Sequence, residues 1–285
     1  MGVLEAHPPL RGDAAPKDHL SLAFRFENGR WRPVCQGNPY SGECNFEGAN
    51  APREWEVVFN GKRLGAIQTQ GWQDSSAAYF YGALAIQSPE APSIKESAAP
   101  FVAWFGAMSR RPLVAMLQPF QGPTTKPWRR VAGHVQPKDI GIAWPVFKAR
   151  FPSIPNCKFD DNGKPLGKSR PATPRDIEVF DRIELPDGGY LIGVHAKEQY
   201  RDECAEYGDF TSDVWMFKPR RGPPRELQGF ETNGWPYSLV LVDIGAFAGD
   251  GTTQAVFFYA GYNEDGYVLY YDNYRKKVRF TWRYH

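Results

Sequence analysis

No apolar run in this 285-residue chain approaches the roughly 18 residues needed to cross a bilayer, so no transmembrane helix is expected. The first 18 residues lack the apolar stretch of a signal peptide. They read as a flexible tail rich in Pro and Ala, and an export signal is expected to have been removed. Charge of one sign is also lacking: the formal net charge is +2 and basic residues are scattered, which gives no reason to expect a nucleic-acid partner. The histidines are only His7, His19, His134, His195 and His285, and none pairs with another at ligand spacing. That disfavours a histidine-based metal centre or catalytic base, and His195, inside a strand signal, reads as a sheet-face residue. No Gly-x-Ser-x-Gly elbow, P-loop or dinucleotide fingerprint is present. Cysteines are few and fall in two pairs, Cys35 with Cys44 and Cys157 with Cys204, none of them in a Cys-x-x-Cys. A zinc site is therefore not expected. Two disulfides and a periplasmic or secreted location are the favoured reading; four reduced thiols in a cytosolic protein are the alternative. Cys35 and Cys44 bracket a turn-rich loop that a disulfide would close.

What the chain has in quantity is aromatic residues at 15%, with 28 Gly and 25 Pro, a composition that favours strands joined by tight turns over long helices. Leu20 to Glu27 alternates into Asn28-Gly29 and returns through Arg30 to Val34; Trp55 to Phe59, Asn60-Gly61 and Arg63 to Thr69 repeat the device. Asn-Gly between strands is the signature of a type I′ hairpin. Further strand signals lie at Ala77 to Ile86, Phe101 to Ala107, Leu113 to Leu117, Ile177 to Leu185, Tyr190 to Ala196 and Val214 to Phe217. The last block, Ser238 to Asp243, Ala255 to Tyr259, Tyr267 to Asp272 and Lys277 to Tyr284, predicts a four-stranded meander. That is the size of one propeller blade, and the expected fold is all-β and propeller-like, with about six to seven blades. Asn60-Gly61-Lys62 echoes Asn162-Gly163-Lys164, as equivalent hairpins of two blades would. One short helix is expected over Pro137 to Phe151, where Ile140, Ala143, Trp144, Phe147 and Phe151 recur at three- and four-residue spacing. Gln87 to Pro100 and Lys218 to Trp235 resemble linkers but are taken as surface loops of a single domain spanning residues 19–285.

The stretch Leu241 to Phe257, Leu-Val-Asp-Ile-Gly-Ala-Phe-Ala-Gly-Asp-Gly-Thr-Thr-Gln-Ala-Val-Phe, resembles the FG-GAP repeat of integrin-α-like β-propellers. With the aromatic-rich end of the chain, the resemblance covers about residues 238–285 and extends to exported bacterial proteins carrying such repeats. It implies a propeller and a calcium loop from Ala246 to Gln254. Calcium takes six to eight oxygen ligands, several of them charged. Here the first two ligand positions are Ala246 and Ala248, the last is Gln254, and only Asp250 keeps a carboxylate. The expectation is a turn kept for shape by Gly249 and Gly251, with Phe247 packed inward, no cofactor, and Asp250 as a weak metal candidate.

The remaining candidates are sparse. Arg11-Gly12-Asp13 matches an integrin-binding tripeptide, but three residues are poor grounds. Asp202, Glu203, Glu206 and Asp209 form an acidic cluster that could hold a glycosidase pair, with Asp74 and Asp213 as no better candidates. Basic pairs at Arg110-Arg111, Arg129-Arg130, Arg220-Arg221 and Arg275-Lys276-Lys277 neighbour aromatics, as sugar- or base-stacking sites do, though basic strand edges commonly only block aggregation. No set of residues amounts to a catalytic constellation. The sequence therefore points to a monomeric, non-enzymatic interaction or ligand-binding propeller of the bacterial envelope, with a protein or glycan partner. A carbohydrate-active enzyme or sugar-binding protein acting from a loop face is the alternative.

Overall fold

The computed structural model describes residues 1–7, 17–34, 53–75, 80–86, 92–94, 102–103, 106–107, 111–117, 127–131, 137–155, 160, 168–198, 212–227, 237–261 and 264–283. These residues are mostly in antiparallel β-sheets, with one α-helix among them. The chain divides into two compact units, Met1–Lys126 with Val240–His285, and Pro127–Leu239, where the sequence pointed to one domain.

The first unit opens with β1 (Gly2–His7) and β2 (Lys17–Leu22), followed by the hairpin β3 (Phe24–Glu27) and β4 (Arg30–Pro33). Then come β5 (Arg53–Phe59), β6 (Lys62–Ser75), β7 (Phe80–Ile86), the short pair β8 (Val102–Ala103) and β9 (Gly106–Ala107), and β10 (Leu113–Leu117). Both Asn-Gly hairpins form as the sequence predicts: Asn28 and Gly29 have φ of 51° and 72°, Asn60 and Gly61 of 51° and 70°. Six strands pair in a closed antiparallel ring in the order β1, β10, β5, β6, β7, β2 and back to β1. Leu4, Leu20, Leu22, Trp55, Val57, Ile67, Leu113 and Ala115 form one of its buried clusters. Alternation along a strand sends Val3, Val58, Val114 and Met116 to the other face, where they are also buried. Burial on both faces explains the continuous apolar run of β10.

The expected flexible tail over residues 1–18 is corrected for its first seven residues and for Lys17 and Asp18, which begin β2. Val3 and Leu4 are 0% and 4% exposed, β1 pairs on both sides, and the Met1 nitrogen donates to the Phe24 carbonyl at 2.8 Å. Composition over the whole segment masked a short strand that is apolar on two faces. Arg11-Gly12-Asp13 lies outside the described residues.

The second unit contains β11 (Arg129–Arg130), α1 (Pro137–Arg150), β12 (Ser153–Ile154) paired with β13 (Arg170–Pro171), β14 (Ile177–Glu184), β15 (Tyr190–Ala196), β16 (Val214–Lys218) and β17 (Arg225–Glu226). Its main sheet runs β11, β14, β15, β16, β17. The helix forms where the sequence places it. Proline opens it and Asp139 lies in its first turn, as suits a helix N-terminus. Ala143, Phe147 and the following Phe151 pack on Ile177, Val179, Ile192, Val194, Ala196, Val214 and Met216, so α1 covers one face of the sheet. Arg182 reaches Asp139 at 3.3 Å across that contact.

The chain then returns to the first unit through β18 (Ser238–Gly245), β19 (Gln254–Gly261), β20 (Glu264–Tyr271) and β21 (Lys276–Arg283), the predicted meander in its predicted order. Val242, Val256, Phe258, Tyr267, Leu269, Val278 and Phe280 share a buried cluster with Val3, Val114 and Met116, so this sheet packs against the outer face of the ring.

Candidate functional site: an exposed phenylalanine and a histidine between two carboxylates

The face of the second unit's main sheet opposite α1 carries a cluster of polar and aromatic side chains. Glu178 on β14 is the cross-strand partner of His195 on β15, and Asp213 stands one residue beyond the Val194–Val214 pair. His195 Nε2 lies 2.8 Å from Glu178 Oε1 and Nδ1 lies 3.2 Å from Asp213 Oδ1. Asp213 is buried and held on its other oxygen by the Ser238 hydroxyl at 2.5 Å and the Leu239 amide at 3.0 Å. The Glu178 side chain is 46% exposed, that of His195 14%. An ionised carboxylate only accepts, so both contacts are hydrogen bonds when the ring carries two N–H groups.

A β-bulge between Val179 and Asp181 inserts Phe180 as an extra residue, which re-aims its side chain. The ring stacks on His195 with centroids 4.7 Å apart and a 26° tilt, and meets Trp215 edge-on at 5.4 Å. It lies over Gly193, where a Cβ would stand 2.5 Å from Phe180 Cζ, so a larger residue there makes the ring shift. Phe180 is nevertheless 39% exposed, while Trp215 beneath it is 2% exposed with its indole N–H on the Leu239 carbonyl. Arg130 pairs with Asp181 at 2.9 Å, next to the bulge.

Chemically, Asp213 and His195 form the carboxylate–imidazole half of a proton-transfer relay. The place on Nε2 that a nucleophile or substrate proton would occupy holds Glu178 instead, and the Ser238 hydroxyl donates to Asp213, not to His195. The arrangement holds the imidazole between the two carboxylates.

The sequence named His195 as a sheet-face residue and Asp213 as a weak carboxylate candidate; the structure brings them together and adds Glu178, which sequence reasoning missed. The turn Pro186-Asp187-Gly188-Gly189 joins β14 to β15, but the bulge shifts the register by one and makes Glu178, not Val179, the partner of His195. The acidic cluster of Asp202, Glu203, Glu206 and Asp209, all four cysteines (Cys35, Cys44, Cys157, Cys204), the Asn162-Gly163 echo and the side chain of Asp74 lie outside the described residues. Arg129 is exposed and paired with Glu184 at 2.5 Å, and Arg111 is buried, donating to the carbonyls of Leu241 and Val242 at 2.5 and 3.2 Å.

The loop that resembles a calcium repeat is closed by its own side chains. Gln254, 1% exposed, accepts from the Ala248 amide at 3.1 Å and donates to the Thr252 carbonyl at 2.9 Å and hydroxyl at 2.8 Å. Asp250 Oδ1 accepts from the Thr252 amide and hydroxyl. Gly249 and Gly251 take φ of 72° and 78°, and Phe247 is buried, as the sequence suggests. With alanines at two ligand positions and an amide occupied internally at a third, the residues present do not fit a calcium ion. Elsewhere in the first unit, a cleft of about 10 Å³, room for no more than a water molecule, is lined by Leu4, Glu5, Asp18, Pro92, Ser93, Arg111 and Leu113.

Comparison with known protein families, with curated proteins and with solved structures finds no match. Among the described residues no helix is long and apolar enough to cross a membrane.

Proposed function

We propose that this protein is a non-enzymatic ligand-binding module of the bacterial envelope that makes its contact through the Phe180 face of the second unit. The observation that carries this is the pairing of a 39% exposed aromatic ring, packed on His195 and Trp215, with a histidine whose two nitrogens both meet carboxylates. Exposure of a large ring costs the free protein burial energy, and a bound partner recovers it. Engagement of both nitrogens speaks against hydrolysis. Purified protein is expected to leave a panel of glycans, esters and peptides unchanged; turnover abolished by His195→Ala would overturn the proposal.

The propeller reading is kept as a proposal for the meander β18 to β21, whose four strands have the extent of a blade. The closed six-stranded ring is not a blade, and weighs against blades throughout. Export rests on the cysteine pairs alone: native protein is expected to gain mass on reduction, and four free thiols would refute it. Metal independence of loop 246–254 is supported by the Gln254 hydrogen bonds. Excess calcium and a chelator should give the same melting temperature, and a calcium-dependent rise would refute it.

A further inference from the structure

We infer that the outer face of Phe180 is a stacking subsite for a neutral sugar ring within a polysaccharide chain, with Glu178 and the Arg130–Asp181 pair supplying its hydroxyl contacts. This rests on the ligand-binding reading above and gives it a ligand class.

Three features of the face select that ligand. First, the ring is held before anything binds: His195 stacks on it, Trp215 meets it edge-on and Gly193 lies beneath. A side chain already fixed loses little rotamer freedom on binding, so a weak C–H contact with the apolar face of a pyranose is not offset by ordering. Second, the charges beside the ring are of both signs. Glu178 is 46% exposed and Arg130 33% exposed at the side chain, the latter joined to Asp181 directly after the bulge. A cationic ligand meets Arg130 and an anionic one meets Glu178. A neutral polyol meets acceptors for its hydroxyl protons and a donor for its hydroxyl oxygens, since each hydroxyl does both. Third, Phe180 is 39% exposed on a sheet face, which suits one unit of a longer chain.

The test uses the full-length protein in native gels cast with a soluble β-glucan, an α-mannan, a galactan or a xylan. Retardation by at least one of these is expected, unchanged in about 0.5 M NaCl, where exposed ion pairs are screened. Phe180→Ala should weaken it roughly tenfold, the loss of one stacked ring. Phe180→Trp should preserve or strengthen it, and Glu178→Gln should weaken it less than Phe180→Ala does. Equal retardation of wild type and Phe180→Ala, or none in any gel, overturns the inference. Salt-sensitive binding of oligolysine or a sulfated polysaccharide that depends on Phe180 overturns the sugar class and leaves a binding module standing. Hydrolysis of the retained polysaccharide overturns the non-enzymatic reading and leaves the sugar class standing.

Discussion

Tyr267 on β20 is fully buried and donates its hydroxyl to Glu5 on β1, itself 1% exposed. Burial, then the Glu5 carboxylate, raises the phenol well above its ordinary range, with Asp265 adding to the effect. Below about pH 10 both folded and unfolded chains hold the phenol proton, and its contribution is complete. Above that, the unfolded chain releases the proton and the folded chain does not, so stability falls as pH rises toward the folded value. Tyr267→Phe is expected to cost about 1–3 kcal/mol near neutral pH and to flatten this alkaline decline, read from urea unfolding at several pH values. At the binding face, Gly193→Ala forces the Phe180 ring off the sheet and should cost about 1–3 kcal/mol. Most of that cost should vanish in a Phe180→Ala background; additive costs in a double-mutant cycle would show that the ring does not rest on Gly193.

Between elements, the key polar joint of the first unit is Asp243 on β18. It is fully buried, and one oxygen accepts from its neighbour Ile244 at 2.8 Å and from the Asn60 amide in the β5–β6 turn at 2.9 Å. Asp243→Ala removes an acceptor from two amides and should destabilise by about 2–4 kcal/mol, whereas Asp243→Asn keeps a carbonyl oxygen and should cost less. Equal costs in denaturant titrations would mean that charge, not acceptance, matters. The sequence placed Asp243 on the strand just before the loop, but its partner is 183 residues away and could not be inferred. Local signals fared better. Asn-Gly turns, the helix and the final meander each rest on spacing within a few residues, and each stands where it was expected.

At the scale of the molecule, Pro127–Leu239 is a continuous segment set between two parts of the other unit. Neither linker-like passage marks the boundaries: Gln87 to Pro100 precedes them and Lys218 to Trp235 falls inside the second unit. That unit has its own core, with α1 on the sheet, and its last residues are tied in by Trp215 and Asp213. Expressed alone, residues 127–239 should fold and unfold in one cooperative transition by circular dichroism; a gradual, non-cooperative loss of signal would show that the unit depends on the rest of the chain.

What the sequence determined by itself is the all-β character, the hairpin turns, the position of α1 and the order of β18 to β21, because turn chemistry and apolar spacing act over a few residues. Tertiary structure alone decided the rest. The ring closes by pairing β1 with β10, more than a hundred residues apart, which turned an apparent tail into a buried strand. A single inserted residue at Phe180 placed a carboxylate instead of a valine opposite His195 and left one aromatic ring in solvent. Both are matters of register, and register is settled by which faces can be buried together, a property no local stretch of sequence carries.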